Sequence, residues 1–243
     1  MLKLYEKNES VFAIAWIGAY VVVIGSLRAN LGDSSWLGLA ALVAFTLLSL
    51  AFLRTTSTWQ KYGLASLPPA KPYLYFIPLL LIASVNLWAG IAPQATGASL
   101  VCAVASMALV GWLEEIVFRG FLFRAMEKDG LTSAIVVSAV TFGMGHIVNL
   151  LTGHATFETL LQTCYAVAIG FVFVMVFHKS GSLWPCIVAH SLIDVLSVLG
   201  REVPEELLVV ESVFIIVVAG GYAWYLSRLP GRDSAPDASP LEE

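Results

Sequence analysis

The chain has 243 residues, 58% of them hydrophobic and only 12% charged, with a net charge of −4. A soluble domain carries about 25% charged residues. Together with a mean hydropathy of +0.84, the deficit excludes an ordinary soluble domain and makes the lipid bilayer the chain's first partner. Nothing in the charge balance calls for nucleic acid.

Eight apolar segments are long enough to cross about 30 Å of hydrocarbon: roughly 11–27, 36–53, 73–92, 98–122, 131–148, 157–177, 182–199 and 209–227. They predict an all-α fold, a polytopic membrane bundle of about eight transmembrane helices. The first segment follows Lys3 and Lys7 and has no small-x-small cleavage site before Arg28, so it reads as an uncleaved anchor. Between the second and third, Thr55–Pro72 is too polar to span and reads as an interfacial loop or short surface helix. Residues 1–229 form one integral-membrane domain, and the Pro/Ser/Asp-rich tail 230–243 is expected to be disordered. Cys102, Cys164 and Cys186 lie in apolar runs without metal-ligand spacing and read as small buried hydrophobes. Trp36, Trp184 and Trp224, near segment ends, read as interface anchors.

Orientation follows from the basic residues. With the N-terminus inside, eleven of the thirteen fall on the cytoplasmic side, leaving Arg28 and Arg201 outside. Both termini are therefore expected in the cytoplasm, most simply that of a cell membrane.

The chemistry concentrates on three segments. The fourth carries Glu114, Glu115 and Arg119, the fifth His146, and the seventh His190 and Asp194. Each ionisable group at the centre of a spanning helix costs about 2.5–3.5 kcal/mol on insertion. Three within two turns require a water-filled cavity or partners inside the bundle. Residues four apart share a helix face. Glu115 and Arg119 are thus expected to pair, with the arginine either holding the helix end or snorkelling to the interface. Glu114 is turned about 100° away and needs another partner. Phe142 shares a face with His146, and His190 with Asp194. Gly111, Gly143 and Gly145 flank these positions and would let the helices approach closely. Asn149, one turn beyond His146, is a candidate supporting residue. His154 and His178 read as loop residues.

Taken together, Glu114-Glu115-Ile-Val-Phe-Arg119, Phe142-Gly-Met-Gly-His146 and His190-Ser-Leu-Ile-Asp194 resemble the motif set of the CAAX protease and bacteriocin-processing (CPBP) family. The resemblance covers about residues 98–200. It implies an eight-helix intramembrane endopeptidase acting on a peptide or protein. Glu114 would activate water, His146 and His190 would bind that water or the oxyanion, and Asp194 would orient His190 or the water. Asp194 replaces the Asn of the prenyl-processing members. Glu115, Arg119 and Asn149 would support the site. A metal-free mechanism is the leading expectation. Zinc on His146, His190, Glu114 and Asp194 is the alternative, since two histidines with carboxylates suit that ion. Reckoned from the segment ends, cleavage is expected near the cytoplasmic side. Two other functions compete: a non-catalytic membrane immunity or interaction protein, and a proton-coupled transporter, since intramembrane carboxylates and histidines also build proton relays.

Overall fold

The structure is a computed structural model and describes residues 1–65, 76–152 and 156–229. The expected tail 230–243 and the Pro68-Pro69 part of the polar loop lie outside the described residues, as does His154. The described residues are helical, with α1 Leu2–Lys7, α2 Glu9–Leu31, α3 Trp36–Thr56, α4 Ile77–Ser84, α5 Gly97–Glu115, α6 Arg124–Glu127, α7 Leu131–Gly145, α8 Thr156–Ser180, α9 Trp184–Leu199 and α10 Glu205–Arg228. The one pairing of extended backbone among them is the isolated bridge Ile91–Gly200. The all-α polytopic membrane class holds.

Local chemistry sets the boundaries. Asn8 caps α2 by accepting from Val11 N at 3.0 Å, and Ser35 caps α3 through Gly38 N at 3.4 Å. Pro78 and Pro185 occupy the first turns of α4 and α9, where a missing N–H costs nothing. Gly32 ends α2 with φ +75°, a conformation open to glycine.

Six helices are long and apolar enough to cross a membrane, including a continuous rod, Gly97–Glu127. Two further apolar helices are shorter among the described residues: Ile77–Leu87 in the third expected segment, whose residues 73–75 lie outside them, and Trp184–Leu199 in the seventh. At 1.5 Å per residue they reach about 17 and 24 Å, less than the hydrocarbon thickness. These two short helices support each other. Arg201 N donates to Gly90 O at 2.9 Å, Ala92 N to Leu199 O at 3.2 Å, and the Asn86 amide to Ile193 O at 3.2 Å.

The rod and α8 form the buried centre, while α2, α3 and α10 turn apolar side chains such as Ile14, Val22, Leu47 and Val217 outward. Such all-round apolarity suits helices in lipid. Phe121 in the rod joins the layers. Its ring lies 5.2–5.7 Å from those of Phe12, Trp16, Phe52 and Tyr62, edge-to-face or tilted, geometries that aromatic quadrupoles favour.

Several expectations are corrected. Arg119 is fully buried, so it does not snorkel. His178 lies in the last turn of α8, 3.5 Å from Glu127, and is no loop residue. Cys164 is exposed, while Cys102 and Cys186 are buried as expected. Trp184 is half-buried, and its indole donates to Leu64 O at 3.2 Å and packs on Trp112. The described part of the polar loop also packs inward, with Tyr62 and Leu64 buried and Gly63 O accepting from Leu183 N.

Candidate active site

Close backbone approach brings the motifs together. A Cβ on Gly111 would stand 2.5 Å from Ser191 N, so α5 and α9 touch one turn before the two glutamates. Gly143 meets α8 in the same way, a Cβ there falling 2.7 Å from Val167 N. Gly170 brings α8 back against α7 at Ala139. Gly145 faces open space and lines a cavity instead of a helix contact.

The rod changes its winding at the motif. Ile116–Phe123 is π-helical, and all eight of its residues are buried. Such segments are rare and cluster at functional sites. Glu115 ends the α-helical part, and Arg119 lies within the wider turn.

Glu115 and Arg119 pair as expected, Arg119 Nη1 donating to Glu115 Oε1 at 2.8 Å, with neither side chain exposed. The guanidinium also donates to Gly170 O at 3.4 Å. It lies 4.1 Å from the Phe142 ring centre and 5.2 Å from that of Phe173, a cation held on two negative ring faces. Phe142 in turn meets both histidines edge-to-face, His146 at 5.6 Å and His190 at 5.4 Å. That accounts for the aromatic residue of the Phe-x-x-x-His motif: one ring seats the arginine and both imidazoles.

Glu115 does more than the sequence suggested. Its Oε1 also lies 2.8 Å from His190 Nδ1. An ionised carboxylate can only accept, so Nδ1 donates and Nε2 is turned toward the other groups. Nε2 stands 3.5 Å from Asp194 Oδ2 and 3.9 Å from Glu114 Oε2. The orienting partner of His190 is therefore Glu115, while Asp194 stands at the opposite nitrogen. Glu114, turned away from Glu115 as expected, finds its partner on α2, where Tyr20 Oη donates to Oε1 at 3.0 Å.

Glu114, His146, His190 and Asp194 all line one cavity of about 590 Å³. Asn149 lines it too and donates to Gln162 at 2.7 Å. The sequence reading missed Tyr20, Arg28, Gln162 and Tyr165, which also line it. Tyr20 and Arg28 recur at helical spacing, two turns apart on one face of an otherwise apolar helix, and that was the available signal. The wall residues come from the middle of the rod, the ends of α2, α7 and α9, the stretch His146–Asn149 and the starts of α8 and α10. Exposed Gly32, Asp33, Glu158, Ser197 and Glu202 ring the mouth.

The rod runs to Glu127 instead of ending near residue 122. Glu114 thus lies thirteen residues from its end, about 20 Å at 1.5 Å per residue.

Zinc would need three or more donors clustered around one point. Among the described residues no group of three His, Cys, Asp or Glu side chains has that arrangement. His190 Nδ1 is held by Glu115, an arrangement that leaves Nε2 as the nitrogen able to ligate. Among the described residues, then, these side chains are not gathered as a preformed metal site.

Residues 96–196 match the family described as Type II CAAX prenyl endopeptidase Rce1-like. No curated protein and no solved structure matches the chain. The matched stretch holds all three motifs, so the resemblance read from them stands.

Proposed function

We propose that this chain, which carries a CAAX-protease core in residues 96–196, hydrolyses a peptide bond of a peptide or protein with water activated by Glu114. The observation that carries this reading is the facing pair Glu114 Oε2 and His190 Nε2, 3.9 Å apart in a cavity shared with His146. Glu114 takes a proton from the water as the oxygen adds to the scissile carbonyl carbon. His190 Nε2, fixed through Nδ1 by Glu115, holds the water at the carboxylate, and Asp194 borders the same nitrogen. His146 donates to the developing oxyanion, an interaction worth about 2.7–4 kcal/mol when the donor is pre-aimed. As the C–N bond breaks, Glu114 returns its proton to the leaving amine and is an ionised base again.

The mouth bears on the side of attack. It opens at the bundle end where α2 and α9 finish, with Arg28 in the last turn of α2 and Arg201 just after α9. The basic-residue asymmetry turns that end away from the cytoplasm and leaves both termini inside. The substrate then reaches Glu114 from the non-cytoplasmic end, in place of the cytoplasmic approach expected from depth alone.

The test is Glu114→Gln, which keeps volume and still accepts from Tyr20 but cannot take a proton. In detergent, on a quenched-fluorescence peptide library, turnover should fall by roughly 10²–10⁴ with the melting temperature kept. A well-folded Glu114→Gln protein with near-normal turnover would end this mechanism. A wild-type protein that cleaves nothing would favour the immunity or transporter reading.

A further inference from the structure

We infer that Tyr20 is a positioning residue for the reaction: its hydroxyl pins one oxygen of Glu114 so that the other faces His190 and the water. The inference rests on Glu114 being the base. It concerns a residue on α2, outside both the three motifs and the matched stretch 96–196.

Geometry carries it. A glutamate side chain at a cavity wall has several rotamers and a freely turning carboxylate. Here Oε1 accepts from Tyr20 Oη at 3.0 Å, while Oε2 is the oxygen 3.9 Å from His190 Nε2. The hydrogen bond therefore assigns separate roles to two otherwise equivalent oxygens.

The tyrosine is itself fixed. It is 6% exposed and packs with Ile24, Leu42, Val110 and Leu113. Its ring meets Phe45 of α3 edge-to-face at 6.1 Å. One turn earlier on the same face, Trp16 is locked against Phe45 and Phe121. The positioning thus runs from the N-terminal helices, through one hydroxyl, to the carboxylate. A rigid support of this kind matters because a 1 Å misplacement costs about 10²-fold in rate.

Tyr20→Phe removes one oxygen and leaves the aromatic packing. Wild type, Tyr20→Phe, Glu114→Gln and the double variant are compared on one quenched-fluorescence peptide from the library that wild type cleaves. Tyr20→Phe is expected to lower kcat roughly ten- to hundredfold, the range of a hydrogen bond to a charged group, with KM within about twofold. In the Glu114→Gln background it should leave the residual rate unchanged, because the two residues act as one unit. Two results would overturn the inference: Tyr20→Phe keeping wild-type kcat, or lowering the Glu114→Gln residual rate by its full factor, as a purely structural defect would. Near-normal turnover by Glu114→Gln, or no cleavage by wild type, would instead remove Glu114 as the base and the inference with it.

Discussion

Replacing Arg119 by methionine leaves the Glu115 carboxylate in the core without its cation. Both side chains are fully buried and joined at 2.8 Å. Removing one partner of such a pair costs about 3–5 kcal/mol, since an uncompensated charge remains in a poorly solvated place. For a chain of this size about 1 kcal/mol corresponds to 2–4 °C. The melting temperature in detergent, followed by tryptophan fluorescence, should drop by roughly 6–20 °C. The double variant Arg119→Met with Glu115→Leu removes both charges, and buried pairs replaced this way are often near neutral. It should recover at least half of the loss. It should not recover turnover, because His190 Nδ1 has lost the carboxylate that orients it. A single variant melting within about 2 °C of wild type, or a double variant melting below the single, would refute the reasoning.

Gly111→Val should unfold or inactivate the protein, because a Cβ would stand 2.5 Å from Ser191 N and separate the glutamates from His190. Overpacking of this kind costs typically 1–3 kcal/mol, read as a lower melting temperature, and normal stability with normal turnover would contradict it. Reporter fusions at Gly32 and after Arg228 should report opposite sides, with Gly32 outside. A Gly32 fusion reporting the cytoplasm would turn the cavity mouth inward and reverse the proposed side of attack.

Much of this site could be read in the sequence because ionisable residues are expensive in lipid. Glu114, Glu115, Arg119, His146, His190 and Asp194 stood out against apolar surroundings, and the structure gathers them around one cavity and its supporting ion pair. Helical spacing correctly paired Glu115 with Arg119 and His190 with Asp194. Tyr20 escaped because a tyrosine in an apolar helix is unremarkable on composition and its partner lies 94 residues away. Arg28 reads from the sequence only as an outer-side charge, although it lies in α2 and lines the cavity. Glu115 was read through its neighbour along the helix, so its bond to His190 across the bundle went unseen. The third expected segment overruns its helix at the C-terminal end: Trp88, Ala89, Ile91 and Ala92 are apolar, but the helix stops at Leu87 and Gly90 turns the backbone with φ +96°.

The π-helical stretch Ile116–Phe123 acts as a phase shifter in the rod. A ring closed between residues five apart takes in one residue more than an α turn, and the chain beyond it is rotated relative to the chain before it. Upstream, the phase is fixed by Glu114 and Glu115 facing Tyr20 and His190. Downstream, it is fixed by Arg124 and Glu127 meeting Phe177 and His178 of α8. An unbroken α-helix could satisfy only one of these two alignments. The register beyond this stretch is therefore constrained as strictly as residue identity: one residue inserted into the α-helical turn that follows, where no wide turn absorbs it, would turn the far end by about 100°, carrying Arg124 and Glu127 off α8 while leaving every motif residue in the chain.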